Sequence, residues 1–236
     1  MNKIIIFVLL IILIALIAFY WYSKNSKKII KNRDVAKKIP KNMYKNLDHP
    51  EIYHIENLLT RNQRLKLIEI ASNKLGNSQL VGGTYNNMIR NSKQSWIKKN
   101  DPLIKDIYKE LAKLLNTSVE NAEDMQIVRY LPGEYFKAHN DACCDDNEIC
   151  KKFIKNGGQR KYTVLVYLND EFTDGETYFR NLDLKIKPKP GDAIVFSSIY
   201  PDTSKCDPKS IHEGLPVTTG TKWIANIWFR ESKYSA

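Results

Sequence analysis

The chain has 236 residues, 43% of them apolar, and a formal net charge of +11. This length accommodates one folded domain plus a short appendage. The charge is not spread evenly: nine basic residues lie between Ser23 and Asn46 against only Asp34, whereas Leu47 to Ala236 holds 27 basic and 25 acidic residues, so the high pI gives no reason to expect nucleic-acid binding.

Ile4 to Tyr22 carries no charge and is almost wholly apolar. At about 1.5 Å per residue it would span roughly 28 Å as a helix, close to a bilayer core. Phe19, Tyr20, Trp21 and Tyr22 cluster at its far end, where amphipathic rings favour the membrane interface. A cleaved signal peptide has a shorter apolar region and a small-x-small cleavage site, neither of which is present. The segment 1–23 is therefore expected to be a retained single-pass transmembrane anchor. A basic juxtamembrane linker follows over 24–46, suited equally to anionic headgroups and to open solvent. Its positive charge favours the cytoplasmic side for the domain beyond it.

The folded domain is expected over 47–236. Tyr53-His54-Ile55 reads as a short strand. Thr60 is placed to cap a helix reaching about Leu75, with Leu65, Ile68 and Ala71 or Ser72 on one face and Gly76 as its stop. Asp101 to Leu115 reads as a second helix, with Pro102 in its first turn and an apolar stripe of Leu103, Ile104, Ile107, Tyr108, Leu111, Leu114 and Leu115. From Met125 onward the pattern changes to short apolar or alternating runs broken by Gly, Pro, Asn and Asp. These are Met125–Leu131, Tyr162–Leu168, Thr177–Phe179, Leu184–Ile186, Ala193–Phe196 and Trp223–Arg230. The expected class is α+β, mainly β: a double-stranded β-helix (jelly roll) with supporting N-terminal helices. The four cysteines, Cys143, Cys144, Cys150 and Cys206, show no Cys-x-x-Cys spacing, which argues against structural zinc. Disulfides and free thiols both remain open.

Four histidines are present. His49 and His54 have no carboxylate at metal-ligand spacing and read as surface or strand residues. His139 opens His-Asn-Asp141, and residues i and i+2 of a strand point the same way. His212 follows 73 positions later, before the closing strand. Two imidazoles and one carboxylate on one face of a metal form the arrangement of non-haem Fe(II) oxygenases. Lys222, ten residues beyond His212, could point into the barrel. A buried ammonium needs an anion, and the distal carboxylate of 2-oxoglutarate would serve.

With these residues the sequence resembles the prolyl 4-hydroxylase family of Fe(II)/2-oxoglutarate-dependent dioxygenases, from about Glu51 to Arg230. The matching text is QIVRYLPGEYFKAHND (Gln126–Asp141), GGQRKYTVLVYLN (Gly157–Asn169), GETYF (Gly175–Phe179), PGDAIVF (Pro190–Phe196) and IHEGLPVTTGTKW (Ile211–Trp223), preceded by Arg90-Asn-Ser92. The resemblance implies that His139, Asp141 and His212 hold iron and that Lys222, Tyr130 and Thr163 bind 2-oxoglutarate, with no catalytic residue beyond these ligands. It places Arg160 and Trp228 near a peptide groove, to which Tyr135 could add an aromatic wall. It further implies Fe(II) and 2-oxoglutarate as cofactor and cosubstrate, L-ascorbate as reductant, proline hydroxylation at C4 in a peptide or protein, and an endoplasmic-reticulum-type lumen, against the basic flank of the anchor. Asp174 stands where the family usually has glycine, which puts that turn's shape in question. Ala142 to Asn156 reads as a variable loop. A related dioxygenase acting on another residue or a small molecule, and a non-catalytic membrane-held jelly-roll binding module, remain the alternatives.

Overall fold

The computed structural model describes residues 52–80, 83 and 86–235. The expected anchor, linker and His49 lie outside these residues. Among the described residues, no helix is long and apolar enough to cross a membrane.

The fold is mainly β with few helices. The strands are β1 (Ile52–Ile55), β2 (Gly76–Asn77), β3 (Lys93–Ile97), β4 (Met125–Tyr130), β5 (Phe136–His139), β6 (Arg160–Tyr167), β7 (Phe172–Asp174), β8 (Thr177–Phe179), β9 (Leu184–Ile186), β10 (Ala193–Ser197), β11 (His212–Gly214), β12 (Val217–Gly220) and β13 (Lys222–Arg230). The helices are α1 (Arg61–Ser72), α2 (Lys105–Leu114) and α3 (Glu148–Lys155). One sheet runs in the order β1-β10-β6-β13-β4-β3-β2, a second in the order β5-β11-β8-β9, and β12 pairs with β7.

Strand alternation on β13 organises the molecule. Trp223, Ala225, Ile227 and Phe229 enter a core shared with Leu67 and Ala71 of α1 and Ile107, Tyr108 and Leu111 of α2. Ile224, on the other face, packs with Val128, Leu165 and Tyr167 of the large sheet and with Phe179 and Ile186 of the small one. The helices thus cover one face of the large sheet and the second sheet faces the other, as expected of a jelly roll.

Most expected elements occur at or near their expected positions, but several details differ. Thr60 caps α1 through a capping box with Gln63, yet the buried positions are Leu67 and Ala71, one turn apart, and Leu65 is exposed. Asp101 bonds the Leu103 amide and closes a separate turn, so α2 begins only at Lys105, and Leu114 falls outside its buried stripe. His54 sits in β1, buried, with Nε2 2.9 Å from Asp192. Ala142 to Asn156 is not merely a loop: Asn147 accepts the Cys150 amide and caps α3. Asp174, in the usual glycine position, has φ +58°, a left-handed value that Asp tolerates, and accepts a hydrogen bond from the Thr218 hydroxyl.

All four cysteines are paired, Cys143 with Cys150 and Cys144 with Cys206. The second bridge spans 62 positions. Loop-closure entropy makes such a bridge worth about 4 kcal/mol. Replacing Cys144 and Cys206 together by alanine is expected to lower the unfolding free energy by roughly that amount, measured by denaturant titration.

Candidate metal centre

His139 ends β5 and His212 begins β11, and the two are directly opposed in the pairing of these strands. The local chain past β5 is a bend, so Asp141 is not aimed by strand alternation. Asn140 aims it. Its Nδ2 donates to the carbonyls of Ser198 and Asp207 and to Ser210 Oγ at 3.3, 3.1 and 2.8 Å, and its Oδ1 accepts the Ala142 amide at 2.8 Å. Asp141 is thereby turned between the two imidazoles. One ligand atom from each of His139, Asp141 and His212 lies within 4.8 Å of the others. Nε2 of His139 and of His212 is each 3.7 Å from an Asp141 oxygen.

Hydrogen bonding fixes the tautomers. Nδ1 of His139 contacts the Lys137 carbonyl at 2.8 Å, and Nδ1 of His212 contacts the Ser210 carbonyl at 2.9 Å. A carbonyl only accepts, so each Nδ1 carries the proton and each Nε2 presents a lone pair. Burial, then the neighbouring His212, pushes His139 down to about 3, so it is neutral at physiological pH. Burial works against ionisation of Asp141, but His212 and His139, with Arg160 and the Thr163 hydroxyl, hold its carboxyl at about 2. With neutral rings, the two Nε2 lone pairs and the Asp141 carboxylate converge on one point. That set fits a divalent cation, and facial nitrogen and oxygen donors suit Fe(II).

The surroundings hold the ligands rigidly. Phe136 stacks on His139 at 3.6 Å between ring centroids, and the Arg90 guanidinium lies 4.5 Å from the Phe136 ring centroid. Phe196 and Phe179 flank His212 at 4.9 and 5.6 Å. Thr163 Oγ1 donates to Asp141 Oδ2 at 2.6 Å. Thr163→Val is expected to weaken iron binding about tenfold by releasing one carboxylate oxygen, read by calorimetric titration with Fe(II).

The three ligands line a cavity of about 510 Å³ between the sheets, together with Tyr130, Arg160, Thr177, Lys222, Asn226 and Trp228. Lys222 is 1% exposed and its Nζ donates to the Gly175 carbonyl at 2.6 Å. Burial pushes its ammonium down to about 7, partly offset by Glu176 and reinforced by Lys187. Among the described residues no carboxylate forms an ion pair with it. Its surroundings are the rings of Tyr130 and Tyr167, 5.0 and 5.3 Å away. A desolvated ammonium in an open cavity suits a ligand carboxylate, as 2-oxoglutarate carries.

Of the other expected site residues, Tyr130 lines the cavity, whereas Thr163 stands behind Asp141 and is not part of the lining. Arg160 forms a two-point ion pair with Glu123 at 2.7 and 2.8 Å, and its guanidinium lies 3.5 Å from the Trp228 ring centroid. Tyr135 is half-buried outside the lining and donates its hydroxyl to the Met88 carbonyl at 3.3 Å. Three contributors had no role in the sequence reading: Asn140, Glu123 and Arg230. The alternation Lys222, Ile224, Asn226, Trp228, Arg230 along β13 is the signal that leads to Arg230.

The fold and the donor set define a 2OG-Fe(II) oxygenase, and the sequence profile described as "2OG-Fe(II) oxygenase superfamily" matches residues 125–230. A putative prolyl 4-hydroxylase of Acanthamoeba polyphaga mimivirus is 49% identical over 194 residues, covering 81% of this chain and 80% of the relative. Prolyl 4-hydroxylase 5 of Arabidopsis thaliana is 31% identical over 207 residues, covering 78% and 68%. The crystal structure of a viral collagen prolyl hydroxylase from Paramecium Bursaria Chlorella virus-1, in its 2OG complex, is similar with TM-score 0.62 and 33% identity, covering 78% of this chain and 97% of that one. The chain belongs to the prolyl 4-hydroxylase family.

Proposed function

We propose that the chain hydroxylates peptidyl proline at C4, consuming 2-oxoglutarate and dioxygen and releasing succinate and carbon dioxide. One observation carries this reading: a single cavity contains a three-donor metal cluster and a buried ammonium that, among the described residues, has no carboxylate of its own. Bound Fe(II) supplies the redox chemistry that couples decarboxylation of 2-oxoglutarate to oxygen insertion, with ascorbate keeping the metal ferrous. His139, Asp141 and His212 would hold that metal, their ligand atoms converging at the wall of the cavity. Lys222 holds the distal carboxylate of 2-oxoglutarate, and Tyr130 walls the same end. Thr163 steadies the Asp141 carboxylate, a role that differs from direct cosubstrate contact. Arg160, held by Glu123 and close over the Trp228 ring, gives the substrate side a fixed cationic edge.

Names of relatives support proline as the substrate: several are prolyl 4-hydroxylases, and the similar viral structure is a collagen prolyl hydroxylase. The test is succinate release with Fe(II), 2-oxoglutarate and ascorbate, with and without a proline-rich peptide. Peptide-dependent release is expected. Release unaffected by any peptide would move the substrate to a small molecule.

We also propose that Ile4 to Tyr22 anchors the chain in a membrane, on the strength of its uncharged 19 residues. The two disulfides favour a domain in an oxidising lumen, against the basic flank of the span. Carbonate extraction and protease protection of the full chain test both points.

A further inference from the structure

We infer, resting on the lumenal placement proposed above and not on the hydroxylase reading, that Asn116 is a modification site whose side-chain amide carries an N-linked oligosaccharide. Asn116-Thr117-Ser118 is an Asn-x-Ser/Thr acceptor with no proline at its middle position. No other asparagine of the chain has a serine or threonine two positions on, so a single glycan is expected.

A motif this short also arises by chance, and the local structure is what separates a usable acceptor from an idle one. α2 ends in a Schellman turn. The Thr117 amide donates to the Ala112 carbonyl at 2.8 Å, and the Asn116 amide to the Lys113 carbonyl at 3.4 Å, the bond pair of that motif. Asn116 is the residue just past the helix end and has φ +50°, in the left-handed region. Glycine is usual there, and asparagine is tolerated because its short polar side chain can bond locally. That compensation is missing at Asn116. The residue is exposed, and among the described residues its side-chain amide has no hydrogen-bond partner. The fold thus keeps an asparagine in a glycine position and leaves its amide to solvent.

The rest of the motif is compatible with use. Ser118 is exposed, and its Oγ accepts the Glu120 amide at 3.2 Å, capping the 3-10 turn Val119–Asn121. A threonine hydroxyl would accept that bond equally. The compartment agrees as well: both disulfides call for an oxidising lumen, where asparagine-linked transfer takes place. The site is clear of the chemistry. Asn116, Thr117 and Ser118 do not line the metal cavity, and the buried side chains of α2 pack on the other face of the large sheet.

The modification is a group transfer from an oligosaccharide joined through its C1 to a lipid diphosphate. A bond forms between Asn116 Nδ2 and C1 while the C1–O bond to the diphosphate breaks. The lipid diphosphate leaves with the electron pair, and the amide nitrogen gives up one proton. No oxidant or reductant takes part.

The test expresses the full chain in a eukaryotic cell with secretory N-glycosylation and treats it with peptide N-glycosidase. A single downward step in mass is expected. In isotopically labelled water the treatment should leave a heavy aspartate at position 116, read by peptide mass spectrometry. Asn116→Gly should abolish the step without straining the turn, since glycine suits a left-handed backbone. Ser118→Ala should abolish it too, and Ser118→Thr should retain it. Because the site lies outside the cavity, kcat and the 2-oxoglutarate KM of Asn116→Gly should stay within about twofold of native. A native chain without glycan, or a glycan retained in Asn116→Gly, overturns the proposal. Protease protection of the same sample then separates the causes. A protected domain without glycan condemns the site alone, whereas a cleaved domain removes the lumenal placement with it. The hydroxylase reading stands or falls on its own peptide assay in every case.

Discussion

Asp141→Ala abolishes hydroxylation, with an expected loss of at least about a thousandfold in kcat, because the metal then has only two neutral donors. The fold survives. Asp141 belongs to neither apolar core cluster, and its removal takes a buried anion away from two lone pairs. In the metal-free state the variant should melt within a few degrees of the native chain, while Fe(II) no longer raises its melting temperature. The two readouts separate a lost ligand from a lost fold. Asp141→Glu should not rescue, since Asn140 and Thr163 fix the carboxylate for the shorter side chain. Retained turnover in Asp141→Ala would remove Asp141 from the metal.

Lys222→Met separates cosubstrate binding from stability. In the free protein the ammonium is desolvated and has no carboxylate partner among the described residues, so an apolar replacement of similar length should leave the melting temperature equal or higher. KM for 2-oxoglutarate should rise about a hundredfold or more, the cost of leaving a bound carboxylate buried and unpaired. The same group predicts a pH dependence. Lys222 titrates at about 7 in the free protein, and only its charged form pairs with the carboxylate. Binding therefore takes up a proton above that pH, and KM should climb toward tenfold per pH unit. Below it, this contribution is flat. Lys222→Arg should remove the slope, because a guanidinium stays charged. An unchanged KM in Lys222→Met would refute the assignment.

The residues legible in the sequence are those whose placement follows from local periodicity. His139 and His212 stand at strand positions, and Lys222 starts a strand whose alternation sends it and Trp228 inward and Trp223 into the helix-packed core. Asn140 was not legible because its contacts are 58 to 70 positions away, and nothing in His-Asn-Asp marks the middle residue as the one that sets the turn. β3 escaped notice because Lys93–Ile97 mixes polar and apolar residues on both faces, Gln94 beside Trp96 on the cavity side, and does not alternate. α3 was obscured by the acidic, cysteine-rich stretch leading into it; Asn147 caps it and its buried Cys150 is tied to Cys143. Leu65 and Leu114 were apolar at helical spacing yet point outward, because the surfaces opposite α1 and α2 decide which residues become buried.

The most direct measurement uses isotopically labelled dioxygen with a proline-rich peptide, Fe(II), ascorbate and 2-oxoglutarate, followed by fragmentation mass spectrometry. The account predicts one heavy oxygen on a proline ring and one in succinate, in equal amounts. Heavy succinate beside an unlabelled peptide, or label on a residue other than proline, would contradict it.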